Sequence, residues 1–483
     1  IRVSGRCLMF LSLLTVLISA VFPITQTPWV EKGITAERVS DGFVVAWQDL
    51  RNGEGEIYAS FLTDKDTKLF PVATASPSSG EGIYFSCPTF ASEGNHGLFV
   101  YEVYSSCLDT DFGYCSSIDY TTVDVGATNE VIAAGGLHGC QCPTMGYDYG
   151  FWYTKPHLAS SGRYMLLASL NETFSMGVVY TSIVADLLKP NGQILYTHNF
   201  LPTDPYTSLV MPPAVTSRRD GFVLVYPELA LTNGDRDLAI VYFYNGQAVS
   251  TKKTIGLDWD LSYHPIPEIA SIGDVFLYTV GLSDGNSTGV LVFEYPDIPA
   301  DIFTLSDARR AFPVAAFGKF YIFYISADDE IYAVRYDPQT GLIDSSGVPV
   351  IITPEPITEL SAAFDGEKIF LSFVQNEDIY GVFLDSDLQE INNNPVKRDA
   401  EPLITINPNP IKGNILKAHM RTPEEPVGFE VYDASGRRIS TCKLGLLNGS
   451  DVMIELPGSI RPGVYFLAAK TRKKIYRTLF IKM

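Results

Sequence analysis

Residues that could do chemistry are present in this sequence, but few of them stand in a pattern that a known reaction requires. Gly281-Leu282-Ser283-Asp284-Gly285 matches the string around the nucleophilic serine of many hydrolases. That chemistry needs a sharp turn from a strand into a helix, whereas this string lies in a polar tip between two strand-like runs. The six His residues are scattered, and no zinc-binding helix motif occurs. We therefore predict no catalytic residue, and the sequence favours a protein that is not an enzyme.

Acidic residues recur at the predicted tips between the second and third strands of a repeat. They are Asp49, Glu54, Asp109, Asp111, Glu172, Glu228, Asp235, Asp237, Asp284, Asp328, Asp329, Glu377 and Asp378. Ca²⁺ prefers oxygen ligands from loops, but no fixed calcium loop is present, so solvated tips are favoured over a calcium site. We predict no cofactor, with Ca²⁺ as the alternative. A pair of these acids could hydrolyse a glycosidic bond only at a defined separation, which the sequence does not define.

Aromatic residues supply the candidate ligand site. The longest insertion runs from about Gly135 to Lys155 and contains the densest aromatic cluster of the chain. Exposed aromatic rings suit sugar rings or peptide side chains, and the alternative is that they plug a channel or cover a sheet edge. The predicted ligand-binding residues are Tyr147, Tyr149, Trp152, Tyr153, Trp259 and His264.

A repeat must position these residues. Its clearest copy is Pro313 to Val350, where Lys319 to Ile325 and Ile331 to Tyr336 flank a polar tip. Such short alternating runs between turn residues predict a four-stranded antiparallel unit. The first two strands of the unit recur seven times, with copies that begin at Ala36, Pro88, Pro156, Pro213, Pro267, Pro313 and Glu359. This spacing predicts a seven-bladed β-propeller over residues 30 to 399.

A second motif recurs at the start of the third strand. Glu56-Ile57-Tyr58-Ala59, Glu330-Ile331-Tyr332-Ala333 and Asp378-Ile379-Tyr380-Gly381 share an acid, an aliphatic residue, a Tyr and a small residue. The first copy follows Trp47-Gln48-Asp49-Leu50-Arg51-Asn52-Gly53. This combination resembles the hairpin of bacterial exported β-propeller repeats. For Trp47 and Arg51 we favour a packing role over a functional one.

The repeat pattern ends near Asp399, and a different unit follows. Residues 404 to 483 predict a small β-sandwich with three motifs: Asn407-Pro408-Asn409-Pro410, Val431 to Arg437, and Pro462-Gly463-Val464-Tyr465-Phe466-Leu467. Together they resemble the C-terminal sorting domain of type IX secretion. The resemblance implies recognition by the outer-membrane secretion machinery, and release or attachment at the cell surface. The residues that carry it are Pro408, Asn409, Pro410, Gly436, Arg437, Gly463 and Tyr465.

The other end of the chain also predicts export. Arg2 and Arg6 precede the apolar run Leu8 to Val21, and Ser19-Ala20 offers a small-residue cleavage site, so residues 1 to 22 are predicted to be a signal peptide. No other segment is apolar enough to predict a membrane span. In an exported protein the remaining six cysteines favour disulfides over metal. Cys107 with Cys115 is the simplest pair, and Cys87 could meet Cys140 or Cys142.

The distribution of charge along the chain argues against nucleic acid as a partner. Residues 401 to 483 carry thirteen Lys and Arg against seven Asp and Glu, and the signal adds two Arg, so the stretch between them has a net charge of −28. Such an acidic body argues against nucleic-acid binding. We expect a secreted or surface-bound all-β protein whose propeller binds an extracellular glycan, peptide or protein. The alternatives are a propeller hydrolase acting on a polymer and a structural component of the cell envelope.

Overall fold

The computed structural model of the chain consists of β-strands and their connections, without helices in the part that it describes. The structure describes residues 21–25, 31–50, 55–63, 67–73, 84–94, 96–106, 114–124, 130–139, 149–175, 178–202, 208–218, 220–230, 236–244, 253–257, 259, 261, 267–295, 298–344, 346–391, 404–406, 415–420, 428–433, 438–442, 447–448, 451–456, 463–470 and 475–482. The chain divides into two compact units, Ile1–Asn393 and Asn394–Met483. No helix long and apolar enough to cross a membrane occurs among these residues.

The first unit is a seven-bladed β-propeller, as the repeat predicts. Each blade is an antiparallel sheet, and its strands are numbered from the channel outwards. Blade one contains β2 (Glu31–Val39), β3 (Gly42–Asp49), β4 (Glu56–Leu62) and β5 (Thr67–Ala73). Blade two contains β6 (Tyr84–Glu93), β7 (His96–Ser106), β8 (Tyr114–Asp124) and β9 (Glu130–His138). Blade three contains β10 (Tyr149–Ser160), β11 (Met165–Ser175), β12 (Val178–Leu188) and β13 (Ile194–Phe200).

Two of the remaining blades have a divided strand. Blade four has an innermost strand in two pieces, β14 (Ser208–Val210) and β15 (Ala214–Arg218), followed by β16 (Gly221–Ala230), β17 (Arg236–Tyr244) and β18 (Lys253–Leu257). Blade five contains β19 (Glu268–Ile272), β20 (Val275–Gly281), β21 (Thr288–Glu294) and β22 (Ile298–Leu305). Blade six contains β23 (Ala308–Ala316), β24 (Lys319–Ser326) and β25 (Ile331–Asp337), and both β26 (Gly341–Leu342) and β27 (Val348–Ile351) pair with β25.

Blade seven joins the two ends of the propeller. It contains β28 (Ile357–Phe364), β29 (Ile369–Gln375) and β30 (Asp378–Leu384), and its outermost strand is β1 (Phe22–Pro23). Phe22 pairs with Gly381 and Pro23 with Tyr380. Ile379 also donates its backbone N–H to the buried Thr25 hydroxyl at 3.0 Å. The ring of blades is therefore closed by backbone pairing.

Packing between neighbouring blades supplies the hydrophobic core. At the seam between blades one and seven, the ring of Phe43 lies 5.0 Å from that of Phe370. Trp47 is fully buried in the same cluster, and its ring stacks on Tyr58 at 6.5 Å, which supports a packing role. Arg51 lies outside the described residues. Burial of such large side chains contributes roughly 2–3 kcal/mol each relative to exposure.

The recurring acid-aliphatic-Tyr motif has a structural reason. In a strand, residues two apart lie on one face of the sheet. The Tyr58 hydroxyl accordingly donates to Glu56 Oε2 at 3.2 Å, and the Tyr332 hydroxyl donates to Glu330 Oε2 at 3.1 Å. The aliphatic residues between them, Ile57 and Ile331, point to the opposite face and are fully buried. The motif thus gives the acid a hydrogen-bond donor on one face of the sheet and buries the aliphatic residue on the other.

The insertion predicted from about Gly135 to Lys155 is shorter in the structure than predicted. Residues 149 to 153 are the first part of β10, where Trp152 pairs with Glu172 and Tyr153 with Asn171. Aromatic and β-branched residues favour strands, and this preference extends β10 towards its N-terminus. The outermost strand β9 continues to His138, so the connection between blades two and three covers about half of the predicted insertion.

The second unit contains two four-stranded antiparallel sheets that form a small β-sandwich. One sheet has the order β31 (Ile404–Ile406), β32 (Ile415–Met420), β36 (Asp451–Glu455) and β35 (Leu447–Asn448). The other has the order β34 (Arg438–Cys442), β33 (Gly428–Asp433), β37 (Gly463–Lys470) and β38 (Ile475–Lys482). Gly463 begins β37 and Tyr465 is buried in it. The other residues of the predicted sorting signal lie outside the described residues.

Candidate functional site

The innermost strands of all seven blades surround an open central channel. The cavity within it measures about 1290 Å³ and is lined by residues of β2, β6, β10, β15, β19, β23 and β28 or of the positions just before them. Small-molecule sites occupy roughly 300–1,000 Å³, so the channel is large enough for a ligand of several rings.

One end of the channel is shaped by β-bulges. Two residues are left unpaired in each of β2, β6 and β10, between Lys32 and Thr35, Ser86 and Thr89, and Thr154 and His157. At these bulges Gly33, Cys87 and Lys155 have φ of 64°, 47° and 52°. Only Gly adopts this left-handed conformation without strain. We call this end, where the innermost strands begin, the bulge mouth.

A glutamate holds the bulge of blade one in place. Glu359 Oε2 in β28 accepts the backbone N–H groups of Gly33 at 2.6 Å and Ile34 at 3.1 Å. The guanidinium of Arg310 in β23 lies 3.7 Å from the same oxygen. Glu359 therefore stabilises the seam between blades seven and one, and its charge is balanced by Arg310.

A second glutamate has the same function between blades two and three. The fully buried Glu102 accepts hydrogen bonds from Ser86 Oγ at 3.0 Å, from the Tyr104 hydroxyl at 2.6 Å and from the backbone N–H of Lys155. A buried carboxylate needs donors of this kind. The hydrogen bonds of Glu102 thus stabilise the backbone at the bulge mouth.

Cys87 lies beside this glutamate and is not disulfide-bonded, so the bridge considered for it is not formed. Burial, reinforced by the negative charge of Glu102, raises the pKa of the Cys87 thiol to about 11. The thiol is consequently protonated at neutral pH and is a poor nucleophile. Of the other predicted disulfide partners, Cys107, Cys140 and Cys142 lie outside the described residues, and only the backbone of Cys115 is described.

His157 connects three blades across the mouth. Its Nδ1 accepts the backbone N–H of Val215 in blade four at 3.3 Å, and its Nε2 lies 3.2 Å from Glu268 Oε2 in blade five. Because Nδ1 accepts a hydrogen bond, Nε2 carries the proton that is donated to Glu268. Both ring nitrogens are therefore engaged by the protein itself.

Glu37 lies further along the channel. More than a third of its surface is exposed in the channel, yet the surrounding protein displaces bulk solvent. Desolvation raises the pKa of the Glu37 carboxyl to about 7, against the lowering effect of the Arg38 backbone N–H and the Arg38 charge. This carboxyl titrates near neutral pH.

The structure assigns different positions to the predicted aromatic residues. Tyr149, Trp152 and Tyr153 belong to β10, and their backbones alone are described. Trp259 is 9% exposed and packs in the core of blades four and five, with its ring against Gly289. It is therefore not an exposed platform. Tyr147 and His264 lie outside the described residues.

The charged residues at the mouth were not among the predicted site residues. Lys155, His157, Glu268, Arg310 and Glu359 all line the channel. The sequence contained a signal for them, because Pro156-His157 and Pro267-Glu268 stand at the start of repeat copies whose strands surround the channel. The predicted aromatic residues are of types common in binding sites, but they are not tied to a position in the repeat.

Metal ligands are not assembled in the described part of the chain. No group of three or more His, Cys, Asp or Glu side chains there lies close enough to hold an ion. Several acidic tips of the predicted Ca²⁺ alternative, including Glu54, Asp109 and Asp235, lie outside the described residues. Calcium binding at those tips stays a prediction.

The fold and its channel define the protein as a seven-bladed β-propeller with an additional β-sandwich. No protein-family model and no curated protein sequence matches the chain. Solved structures that are similar to it include peptidases and a sialidase. A prolyl endopeptidase has 12% identity and a TM-score of 0.42, over 91% of this chain and 53% of its own.

Two further structures are similar at the same level. Trypanosoma rangeli sialidase in complex with sialic acid has 10% identity and a TM-score of 0.42, over 93% of this chain and 83% of its own. Pyrococcus horikoshii acylaminoacyl peptidase has 10% identity and a TM-score of 0.43, over 82% of this chain and 59% of its own. This chain spans about half the length of the prolyl endopeptidase. These values carry no inference about activity.

Proposed function

We propose that the protein is a binding module whose ligand enters the central channel at the bulge mouth. The observation that carries the proposal is an open channel of about 1290 Å³ whose acidic groups at the mouth are already engaged by the protein. Such a site offers polar contacts at fixed positions, but it does not offer a reactive group that is poised for a substrate.

The hydrolase alternative has less support from the described residues. A general base needs a lone pair that a substrate can reach. His157 uses one nitrogen to accept the Val215 N–H and the other to donate to Glu268. Glu102 is fully buried, and Glu359 Oε2 binds two backbone N–H groups. A structural role for these groups is thus better supported than a catalytic one.

The structural alternative predicts a filled channel. The open cavity at the centre of the propeller argues against it, because burying apolar side chains there would have stabilised the ring further. An open channel lined by both polar and apolar residues is more useful to a ligand than to the fold.

We infer in addition that the protein is exported to the cell surface or secreted. The support is in the sequence: the apolar run Leu8 to Val21, and the three motifs of the C-terminal unit that resemble a type IX sorting domain. The secretion machinery would be the partner of that unit. A version ending at Asn393, expressed in a bacterium with type IX secretion, is expected to stay in the periplasm. Its appearance in the medium at wild-type level would contradict this proposal.

The binding proposal is tested with a plugged channel. Thr35 lines the cavity, and Thr35→Trp would fill part of it. Full-length wild-type and variant proteins are compared by calorimetry against defined oligosaccharides, peptides and proteins. We expect saturable binding that the variant loses while its melting temperature is retained. Binding that survives in the plugged variant would place the ligand elsewhere.

A further inference from the structure

The channel walls are β-strands, and an exposed strand edge normally offers a row of backbone donors and acceptors to an extended peptide. Here several of those donors are occupied by the neighbouring blade. Ala36 donates its N–H to Ser361 Oγ at 2.9 Å, Leu158 donates to Thr89 Oγ1 at 3.3 Å, and Val215 donates to His157 Nδ1 at 3.3 Å. The innermost strands of blades one, three and four therefore have a blocked edge.

Prolines remove donors from other blades. Pro88, Pro156 and Pro313 line the channel within the innermost strands of blades two, three and six, and Pro213 and Pro267 line it directly before those of blades four and five. Proline has no backbone N–H, so a strand that carries it at the channel edge cannot complete a ladder with a peptide. Together with the occupied N–H groups, this leaves five of the seven innermost strands with an interrupted edge.

Hydrogen bonding in the bulge mouth is consequently left to side chains. The ammonium group of Lys155 makes no hydrogen bond or ion pair within the described part of the chain, and this side chain is exposed to the channel. Arg310 makes a single ion-pair contact, at 3.7 Å to Glu359. The two cations belong to blades three and six, on opposite sides of a seven-membered ring. A ligand in the mouth would meet charged donors on two sides.

The same lining also contains apolar and aromatic residues. Besides the prolines, it includes Phe312 and Tyr104. Apolar residues together with charged donors in one lining fit the two kinds of surface that a sugar ring presents, its C–H faces and its equatorial hydroxyl groups. A peptide added as a strand, by contrast, requires an uninterrupted strand edge, which five of the seven innermost strands do not offer.

We propose that the ligand of the bulge mouth is a saccharide, bound by Lys155 and Arg310 through its hydroxyl or ring substituent oxygens and packed on the proline and aromatic surface. This inference rests on the proposed binding function and makes it more specific. It distinguishes a glycan, recognised by side chains, from a peptide added as a strand.

The experiment measures binding of two matched panels to the full-length protein by calorimetry. One panel contains neutral and uronate-containing oligosaccharides of defined length, and the other contains extended hexapeptides of varied charge. Lys155→Ala and Arg310→Ala are the test variants. Arg309→Ala is the matched control for Arg310, because Arg309 is its neighbour in β23 and pairs with Asp329 instead. Lys189→Ala, at an exposed turn of blade three, is the control for Lys155.

We expect at least one oligosaccharide to bind saturably, with a tenfold or greater loss in each test variant and less than a twofold change in each control. Melting temperatures within a degree of wild type separate lost contacts from unfolding. Peptide binding that the test variants abolish would overturn the saccharide inference and leave the binding function standing. Saccharide binding whose affinity is the same in both test variants as in wild type would also overturn it. Binding to neither panel at millimolar concentration would count against the binding function as well.

Discussion

Glu359 Oε2 in blade seven lies 2.6 Å from the backbone nitrogen of Gly33 in blade one and accepts its hydrogen bond. The same oxygen binds the next N–H of the chain, so a single carboxylate satisfies the unpaired backbone of a β-bulge in the neighbouring blade. Blade seven is thus joined to the start of the chain twice, by this contact from its innermost strand β28 and by the pairing of its third strand β30 with β1.

Replacing this carboxylate is expected to destabilise the propeller. Glu359→Ala leaves two backbone N–H groups without their acceptor, and hydrogen bonds to a charged group contribute about 1.5–3 kcal/mol. We expect Glu359→Gln to lose less, since its amide oxygen still accepts. Urea unfolding of both variants measures the change. Glu355→Ala alters an exposed acid nearby and serves as control; equal losses in all three variants would contradict the assigned role.

Gly33 itself is expected to resist substitution for a conformational reason. A Cβ there would lie 3.6 Å from Pro88 Cδ, an ordinary contact, but φ is 64°. Gly33→Ala should therefore cost about 1–2 kcal/mol through backbone strain alone. Gly281→Ala, at a position with open space and no positive φ, should change the free energy of unfolding far less. The comparison of the two unfolding curves decides whether the bulge conformation is required.

Gly289 tests the position of Trp259. A Cβ at Gly289 would lie 2.8 Å from the indole ring, so Gly289→Ala must displace a buried side chain. Overpacking of this kind costs about 1–3 kcal/mol. We expect a lower melting temperature and a red-shifted tryptophan emission relative to wild type. In a Trp259→Phe background, Gly289→Ala should lower the melting temperature less, because the smaller ring leaves room for the added methyl group. An unchanged melting temperature in the single variant would show that the ring is elsewhere.

The carboxyl group of Glu37 predicts a pH dependence of stability. Desolvation raises its pKa from an ordinary value near 4.5 to about 7. An acid whose pKa is higher in the folded state binds its proton more tightly there, so it lowers the free energy of unfolding as the pH rises from about 4.5 to 7. Glu37→Gln should flatten the curve over this window and raise stability at pH 8 relative to wild type. Urea unfolding at several pH values measures both effects. Glu355→Gln is the control, and a curve unchanged by Glu37→Gln would refute the shift.

The repeat was predictable from the sequence because the pattern of each blade is local. Alternating apolar residues and turn residues recur at blade spacing, and each copy specifies its own hairpins. The strands of Pro313 to Val350 agree with β24 and β25 to within a residue at either end. The acid-aliphatic-Tyr motif was visible for the same reason, since its hydrogen bond joins residues two apart.

The site was less predictable because its contacts join blades that are far apart in sequence. His157 and Glu268 are separated by 111 residues, and nothing between them encodes their distance. The aromatic cluster at Tyr149 to Tyr153 looked like a loop because its residue types suit both a binding surface and a strand. Trp259 could be recognised as a core residue only through the glycine that faces it from β21.

The pairing of β1 with β30 also has a consequence for the order of events during synthesis. Thr25 and its partner Ile379 are 354 residues apart. β1 thus leaves the ribosome before the seven blades do, and it must wait, unpaired, until β30 of the last blade has been made. Premature pairing of this short strand with another copy would link two chains into a swapped pair. The brevity of β1, with only two paired residues, keeps that wrong partnership weak until the correct one is available.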